Sequence, residues 1–256
     1  MPPRRVDDPA ELAWLGAEDD NGWCGYYRSG WDATTWVLNA MYSNPSPTQD
    51  DRAERRSSIS FGGVSPGLVN GVELGMTSRP EAWQRIRWSD YIGAGFGEGR
   101  RYPPCAHWFP DGFGFPPSIA PPCEGSLDHE SLDGLLAAIA SVSPDGSTTE
   151  CFAYFGGGPL LNEGSESGLW RCRLSEIPEL VAATGGVVED PRGRTFSGFS
   201  PSNFWPIDRS WFVYTDYDLW GTEVSGSPEL IAAVEAHQDL ETVHWDWPRR
   251  PGLADD

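Results

Sequence analysis

A chain of 256 residues with 39% hydrophobic content and 13 Trp can bury a substantial core despite 30 Gly and 23 Pro, which makes it globular and loop-rich rather than disordered. Its formal charge of −20 and pI near 4.4 exclude a sequence-independent grip on DNA or RNA, because neutralising phosphates needs a clustered basic surface. All 18 basic residues are Arg, and the absence of Lys removes P-loop and kinase phosphate binding, Schiff-base chemistry, pyridoxal phosphate attachment and Ser-x-x-Lys acylation together.

The N-terminal stretch MPPRRVDDPAELAW has two Arg but no apolar segment of the signal-peptide kind, and no apolar run in the chain is long enough to span a bilayer. The expectation is a cytoplasmic protein without membrane contact, its five Cys kept as thiols. Asp19-Asp20-Asn21-Gly22 marks a turn. Asp32 is placed to cap a helix with Trp36, Val37, Ala40 and Met41 on one face, stopped by Asn44-Pro45-Ser46-Pro47. Residues 50–58 read as a charged connection, and the Gly-broken apolar pieces between Ile59 and Met76 as two strands. Ser78-Arg79-Pro80-Glu81 has the form of a helix start, with Trp83, Ile86 and Arg87 following.

Residues 93–125 are rich in Gly, Pro and rings, among them Phe96, Tyr102, Trp108, Phe109, Phe113 and Phe115, and read as a long loop packed by its own aromatic side chains. A helix begins at Ser126 or Ser131 and runs through Leu132, Leu135, Leu136 and Ile139 to Ser143-Pro144-Asp145-Gly146. Strands are expected over Cys151–Phe155 and Leu169–Leu174, then a helix capped by Ser175 with Ile177, Leu180 and Val181 inward and Gly185-Gly186 at its end.

Residues 199–237 hold the densest aromatic and acidic cluster. An extended Trp211–Leu219 puts Trp211, Val213, Thr215, Tyr217 and Leu219 on one side and Phe212, Tyr214, Asp216, Asp218 and Trp220 on the other. Gly221 permits reversal into a partner strand over Thr222–Val224. Ser227-Pro228-Glu229 opens a helix with an N-cap hydroxyl, a proline that has no N–H to lose and a carboxylate at the positive dipole end, and Leu230, Ile231 and Val234 form its apolar stripe. Thr242–Trp245 is a last strand. The fold class is α+β, with a mixed, mainly antiparallel sheet, several short helices and the long aromatic loop. One domain over 1–256 is expected, divisible if at all into a loop-rich 1–125 and an α+β 126–248, with 249–256 as a frayed tail.

Several pieces together carry a resemblance: Trp36-Val37-Leu38 with Met41-Tyr42, Arg87-Trp88, Glu124-Gly125-Ser126-Leu127, Cys151-Phe152, Phe204-Trp205-Pro206, Asp208-Arg209-Ser210-Trp211, Thr215-Asp216-Tyr217-Asp218-Leu219 and Gly226-Ser227. In these the chain resembles a family of uncharacterised actinobacterial proteins, most specifically over its last sixty residues. The resemblance implies a bacterial cytoplasmic setting and brings no catalytic residue.

Four constellations bear on chemistry. Gly63-Val64-Ser65-Pro66-Gly67 matches a nucleophile elbow, but Pro66 has no N–H to lend an oxyanion hole, so it reads as a turn. Cys105, His107, Cys123 and His129 are the only residues that imitate a zinc site, and their spacing departs from the usual ligand pairs, which favours two buried thiols and two ordinary histidines. Asp208, Asp216 and Asp218, with Glu223 and Arg209 near, could hold a divalent metal ion through hard oxygens or place a general base beside an anion-orienting Arg; as plain structure, Asp208-Arg209 is a turn ion pair and the other two end a strand in solvent. Of Trp205, Trp211, Phe212, Tyr214, Tyr217 and Trp220, one or two are expected at the surface, where they would anchor a partner or stack on a sugar.

Acidity, abundant rings and missing catalytic machinery point first to a non-catalytic protein that binds a basic protein, as an immunity protein or regulator does, with Asp208, Arg209, Tyr214, Asp216, Asp218 and Trp220 as its contact and no cofactor. The second reading is a metal-assisted hydrolase using Asp208, Asp216 and Asp218.

Overall fold

The computed structural model describes residues 2–7, 9–14, 27–46, 82–109, 115–116, 118–156, 168–184, 187–189, 195–197, 199–216 and 218–246. In chain order the elements are β1 (Arg4–Val6), α1 (Pro9–Ala13), β2 (Ala33–Leu38), β3 (Met41–Ser43), β4 (Gln84–Ile86), α2 (Trp88–Ile92), β5 (Ile119–Ala120), α3 (His129–Val142), β6 (Glu150–Phe155), β7 (Gly168–Arg173), α4 (Ile177–Thr184), β8 (Val187–Glu189), β9 (Thr195–Ser197), β10 (Asn203–Pro206), β11 (Phe212–Thr215), β12 (Gly221–Gly226), α5 (Pro228–Glu235) and β13 (Thr242–Val243). The architecture is the expected α+β. An eight-stranded sheet has the order β1-β7-β6-β10-β11-β12-β2-β13, beside a three-stranded sheet β4-β3-β5 and the β8-β9 pair. Every pairing among the described residues is antiparallel. Strands from both sides of residue 125 share the large sheet, since β2 lies between β12 and β13.

Two expected helices are strands instead. After Asp32 the chain forms β2, because Thr34, Thr35 and Val37 are β-branched and Trp36 and Val37 bury on opposite faces, a period of two rather than 3.6. The helix start at Ser78–Glu81 lies outside the described residues, but Gln84–Ile86 is β4, paired with β3 through Met41↔Ile86. A helix begins only at Trp88. Its first amides are held by a carboxylate distant in sequence: Trp88 N–H donates to Glu241 Oε2 at 2.7 Å and Ser89 N–H to Oε1 at 3.0 Å. The possible strands within 59–76 and the Gly63–Gly67 turn also fall outside the described residues.

α3 is capped by Asp128 rather than by either serine. Asp128 Oδ1 accepts the Ser131 N–H at 3.0 Å, and Oδ2 accepts the Ser131 hydroxyl at 2.6 Å and the Ala40 N–H at 3.3 Å, so one carboxylate ties the helix to the turn after β2. α5 starts as its sequence dictates, with Ser227 Oγ accepting the Leu230 N–H at 3.3 Å and Pro228 in the first turn. No helix among the described residues is long and apolar enough to cross a membrane.

Both faces of the large sheet are covered. Under α3, α4 and α5, the aliphatic side chains Val37, Ala153, Val213 and Val224 meet Leu135, Ile139, Ile177, Leu180, Ile231 and Val234. The opposite face carries Trp36, Phe152, Trp205, Phe212 and Tyr214, which pack against Trp88 at the start of α2 and against Trp108, Phe109, Leu219 and Trp220 from chain with little regular structure. A fully buried side chain of this size contributes roughly 1.5–3 kcal/mol or more by transfer from water, so both layers matter to stability.

Candidate functional site

β11 is an interior strand of four residues rather than the nine-residue strand suggested by alternation, and the chain turns at Asp216. Tyr214 and Phe212 face the aromatic layer as alternation requires, and Tyr214 stands opposite Glu223 of β12. Of the rings expected to include one or two at the surface, Trp205, Trp211, Phe212, Tyr214 and Trp220 are all buried, because the sheet has cover on both sides, and Tyr217 lies outside the described residues. The contact surface expected on the strand itself is therefore interior. Among the described residues of 211–220, Asp218 in the turn that follows is the exposed one.

That turn is fixed from three directions. Asp216 Oδ1 accepts the Asp218 N–H at 2.9 Å, and Leu219 N–H donates to the Asp216 carbonyl at 3.1 Å. Trp220 N–H donates to Pro104 O at 2.8 Å, Asn39 N–H donates to Trp220 O at 2.9 Å, and Gly125 N–H donates to Leu219 O at 2.8 Å. Gly221 follows because nothing larger fits: a Cβ there would lie 2.9 Å from Pro104 Cβ. Chain from residues 39, 104 and 125 thus closes around the carboxylates.

Asp216 is wholly buried, and its Oδ2 accepts the Tyr214 hydroxyl at 3.1 Å. Burial pushes its carboxyl up to about 7; the Asp218 N–H and the Tyr214 hydroxyl hold it back, and the Asp218 charge pushes it further. Glu124, half-buried across the turn, is pushed up to about 7 by burial, Asp218 and Asp216, with the Trp220 indole beside it acting the other way. Burial also raises Asp218. The Tyr214 hydroxyl is raised by burial and by Asp216, and the Cys105 thiol, pushed up to about 11 by burial, feels both Glu124 and Asp218. Among the described residues no arginine contributes to the shifts of Glu124, Asp216 or Asp218. Glu223, buried on the same face, accepts the Ser225 hydroxyl at 2.9 Å.

Of the residues singled out from sequence, Tyr214, Asp216, Asp218 and Trp220 come together, and Asp208 and Arg209 do not. These two sit in the β10–β11 turn, at the other end of β11, so four strand residues at about 3.3 Å each separate them from Asp216. Asp208 Oδ1 accepts the Ser210 N–H at 3.1 Å and its hydroxyl at 2.8 Å, closing its own turn. Arg209, at φ 59°, pairs with Glu11 at 3.5 Å and lies 4.9 Å from the centre of the Trp14 ring, not with Asp208. The three-carboxylate cation site is therefore not assembled. Cys105 and Cys123 are buried thiols, His107 lies against Tyr102 with ring centres 5.1 Å apart, and His129 opens α3 at the surface. Among the described residues no group of three or more His, Cys, Asp or Glu converges as metal ligands.

Glu124 was missed from sequence, because its neighbours Cys123 and Gly125 carry no acidic pattern and only the fold brings it to the turn. Comparison with known proteins finds no matching family model, no matching curated protein and no matching solved structure.

Proposed function

We propose that this is a non-catalytic binding protein for a positively charged protein partner, of the immunity or regulator kind, and that the turn between β11 and β12 is its contact. The observation that carries this reading is the packing of Glu124, Asp216 and Asp218 at one turn held by main-chain hydrogen bonds, with no arginine among the described residues acting on their carboxyls. A guanidinium or ammonium from outside supplies a counter-charge that the described residues around the turn do not, and it does so against groups already partly desolvated, where a charge pair counts for more than in water. The formal charge of −20 adds long-range steering of a basic protein. The hydrolase alternative rests on Asp208 acting with Asp216 and Asp218, and Asp208 belongs to the opposite turn.

Calorimetric titration with a deca-arginine peptide at pH 7, run in two buffers of different ionisation enthalpy, tests the reading. A cation beside carboxyls that titrate near 7 lowers their pKa, so binding must release protons and the apparent enthalpy must differ between buffers. Glu124→Gln with Asp218→Asn should weaken binding by at least about tenfold, or ~1.4 kcal/mol. An isotherm that the double variant leaves unchanged, or one without proton release, overturns it.

A further inference from the structure

A second feature lies on the same face, past Tyr27. Its ring meets Tyr214 edge-on with centres 5.6 Å apart, and Trp31 stacks on Phe212 at 6.3 Å with the planes 5° from parallel, so residues 27–31 cover β11. Between this segment and the chain leaving β13 is a cavity of about 640 Å³, within the size range of ligand sites. Tyr27, Trp31 and Trp245 give it aromatic walls, and Asp32 and Asp246 give it carboxylates. Among the described residues no arginine lines it. Arg28 next to it turns away to the Trp14 carbonyl and ring, and His244, the basic side chain in the wall, meets Glu235 at 3.0 Å.

The cavity also opens on sheet edge. Leu38 N–H donates to Glu241 O at 2.8 Å and β13 continues with Val243 opposite Trp36, so the even-numbered residues of β2 direct their main-chain groups to this side. Thr34 is the next of them, and β13 ends before reaching it. Trp245, which would stand opposite, instead lends its carbonyl to the Trp36 indole at 3.1 Å. Ala33 and Thr34 therefore form one wall of the cavity with an edge of the sheet.

We propose that this cavity receives an arginine side chain from an extended segment of the partner, with that segment's backbone pairing to β2 at Thr34. The planar guanidinium fits the combination of ring faces and carboxylates, lying flat on the former and forking to the latter, as an ammonium cannot. Strand addition gives the backbone affinity and the pocket gives the side-chain choice. The inference rests on the reading of the protein as a binder of a basic partner and names the part of that partner which enters.

The probe is acetyl-Val-Arg-Val-amide, compared with the same peptide carrying Gln in place of Arg and with an Arg peptide N-methylated on its backbone. Binding is followed by the indole resonances of Trp31 and Trp245. Expected results are that the Arg peptide binds at least tenfold tighter than either control, that Asp32→Asn with Asp246→Asn abolishes the difference between Arg and Gln, and that Asp133→Asn, on the exposed side of α3, leaves it intact. Equal binding of Arg and Gln peptides overturns the proposal, as does a response to chitotriose with none to the Arg peptide. Unchanged affinity on N-methylation overturns the strand pairing. If deca-arginine still binds through Glu124 and Asp218 while the tripeptides do not discriminate, the pocket assignment falls and the wider reading stands; if neither binds, both fall.

Discussion

On one face of the large sheet, three helices cover aliphatic side chains; on the other, chain with little regular structure covers a field of rings. The helices satisfy their own backbone groups, so α3, α4 and α5 need only an apolar stripe to pack. Irregular chain has no such provision, and burying it leaves carbonyls without partners. The indoles supply them: Trp88 Nε1 donates to Asn39 O at 2.9 Å, Trp36 to Trp245 O at 3.1 Å, Trp108 to Tyr102 O at 2.9 Å and Trp245 to Arg100 O at 3.0 Å. These four indoles are thus one means by which an irregular layer becomes a core. Among the described residues, Asp216 and Glu223 bury their carboxylates on this same side of the sheet, while Asp128 buries its own at the cap of α3.

The most severe way to break the aromatic face is Trp88→Ala. Trp88 is fully buried and touches Phe109, Trp108 and Trp220 with ring centres 4.7, 6.1 and 6.4 Å away. Loss of about 3–5 kcal/mol is expected in urea unfolding, together with the near-ultraviolet dichroism of the ring cluster. A loss under 1 kcal/mol would mean that the irregular layer is not part of the cooperative core.

Asp216→Asn acts in the opposite direction. The Asp216 carboxyl titrates near 3.8 when solvated and at about 7 when folded, so between those values the folded state holds a proton that the unfolded state has released. Stability contributed by this group is complete below the lower value and is lost as pH rises through the upper one, at up to about 1.4 kcal/mol per unit. Asn keeps the shape and the acceptor for Asp218 N–H. The variant should be more stable than the parent at pH 8, on the order of 2–4 kcal/mol, with a flatter stability profile between pH 4 and 7. Parallel profiles would show that the carboxyl is not buried in solution.

Trp88→Phe separates the two contributions of one residue. The ring cluster is largely kept, but Asn39 O loses its indole donor, and a cost of about 1–3 kcal/mol is expected. If this variant behaves as the parent does, packing alone holds the layer, and the comparison between the faces reduces to side-chain size.

The helical face was the more legible in sequence. Leu132, Leu135, Leu136 and Ile139 announce α3 by spacing, and Ser227-Pro228-Glu229 announces α5 by capping, because each is a local device. On the aromatic face the decisive contacts are distant. Glu241 caps α2 from beyond β12, and Glu124 reaches the β11–β12 turn through chain that has no periodicity. Alternation correctly put Tyr214 and Phe212 on one face but ran on too far, since Asp216 turns the chain by accepting the Asp218 N–H, a hydrogen bond that hydropathy patterns do not register. For the same reason sequence proximity joined Asp208 to Asp216, which the length of β11 separates.

Arg209→Ala should have the smallest effect and tests the rim of the aromatic face. Its guanidinium pairs with Glu11 of α1 at 3.5 Å and lies over Trp14, and Trp14 in turn packs on Trp205 and Phe212 with centres 5.6 and 5.8 Å away. Because the pair is open to solvent, its loss is expected to cost no more than about 1 kcal/mol globally. The local consequence is larger than the global one: α1 has only five residues, too few to be stable alone, and is held through these contacts. Amide exchange in 9–13 should therefore accelerate while β10 and β11 keep their protection. Acceleration extending into β10 would mean that Trp14 is integral to the ring layer, and that this face of the sheet is one cooperative unit out to its rim.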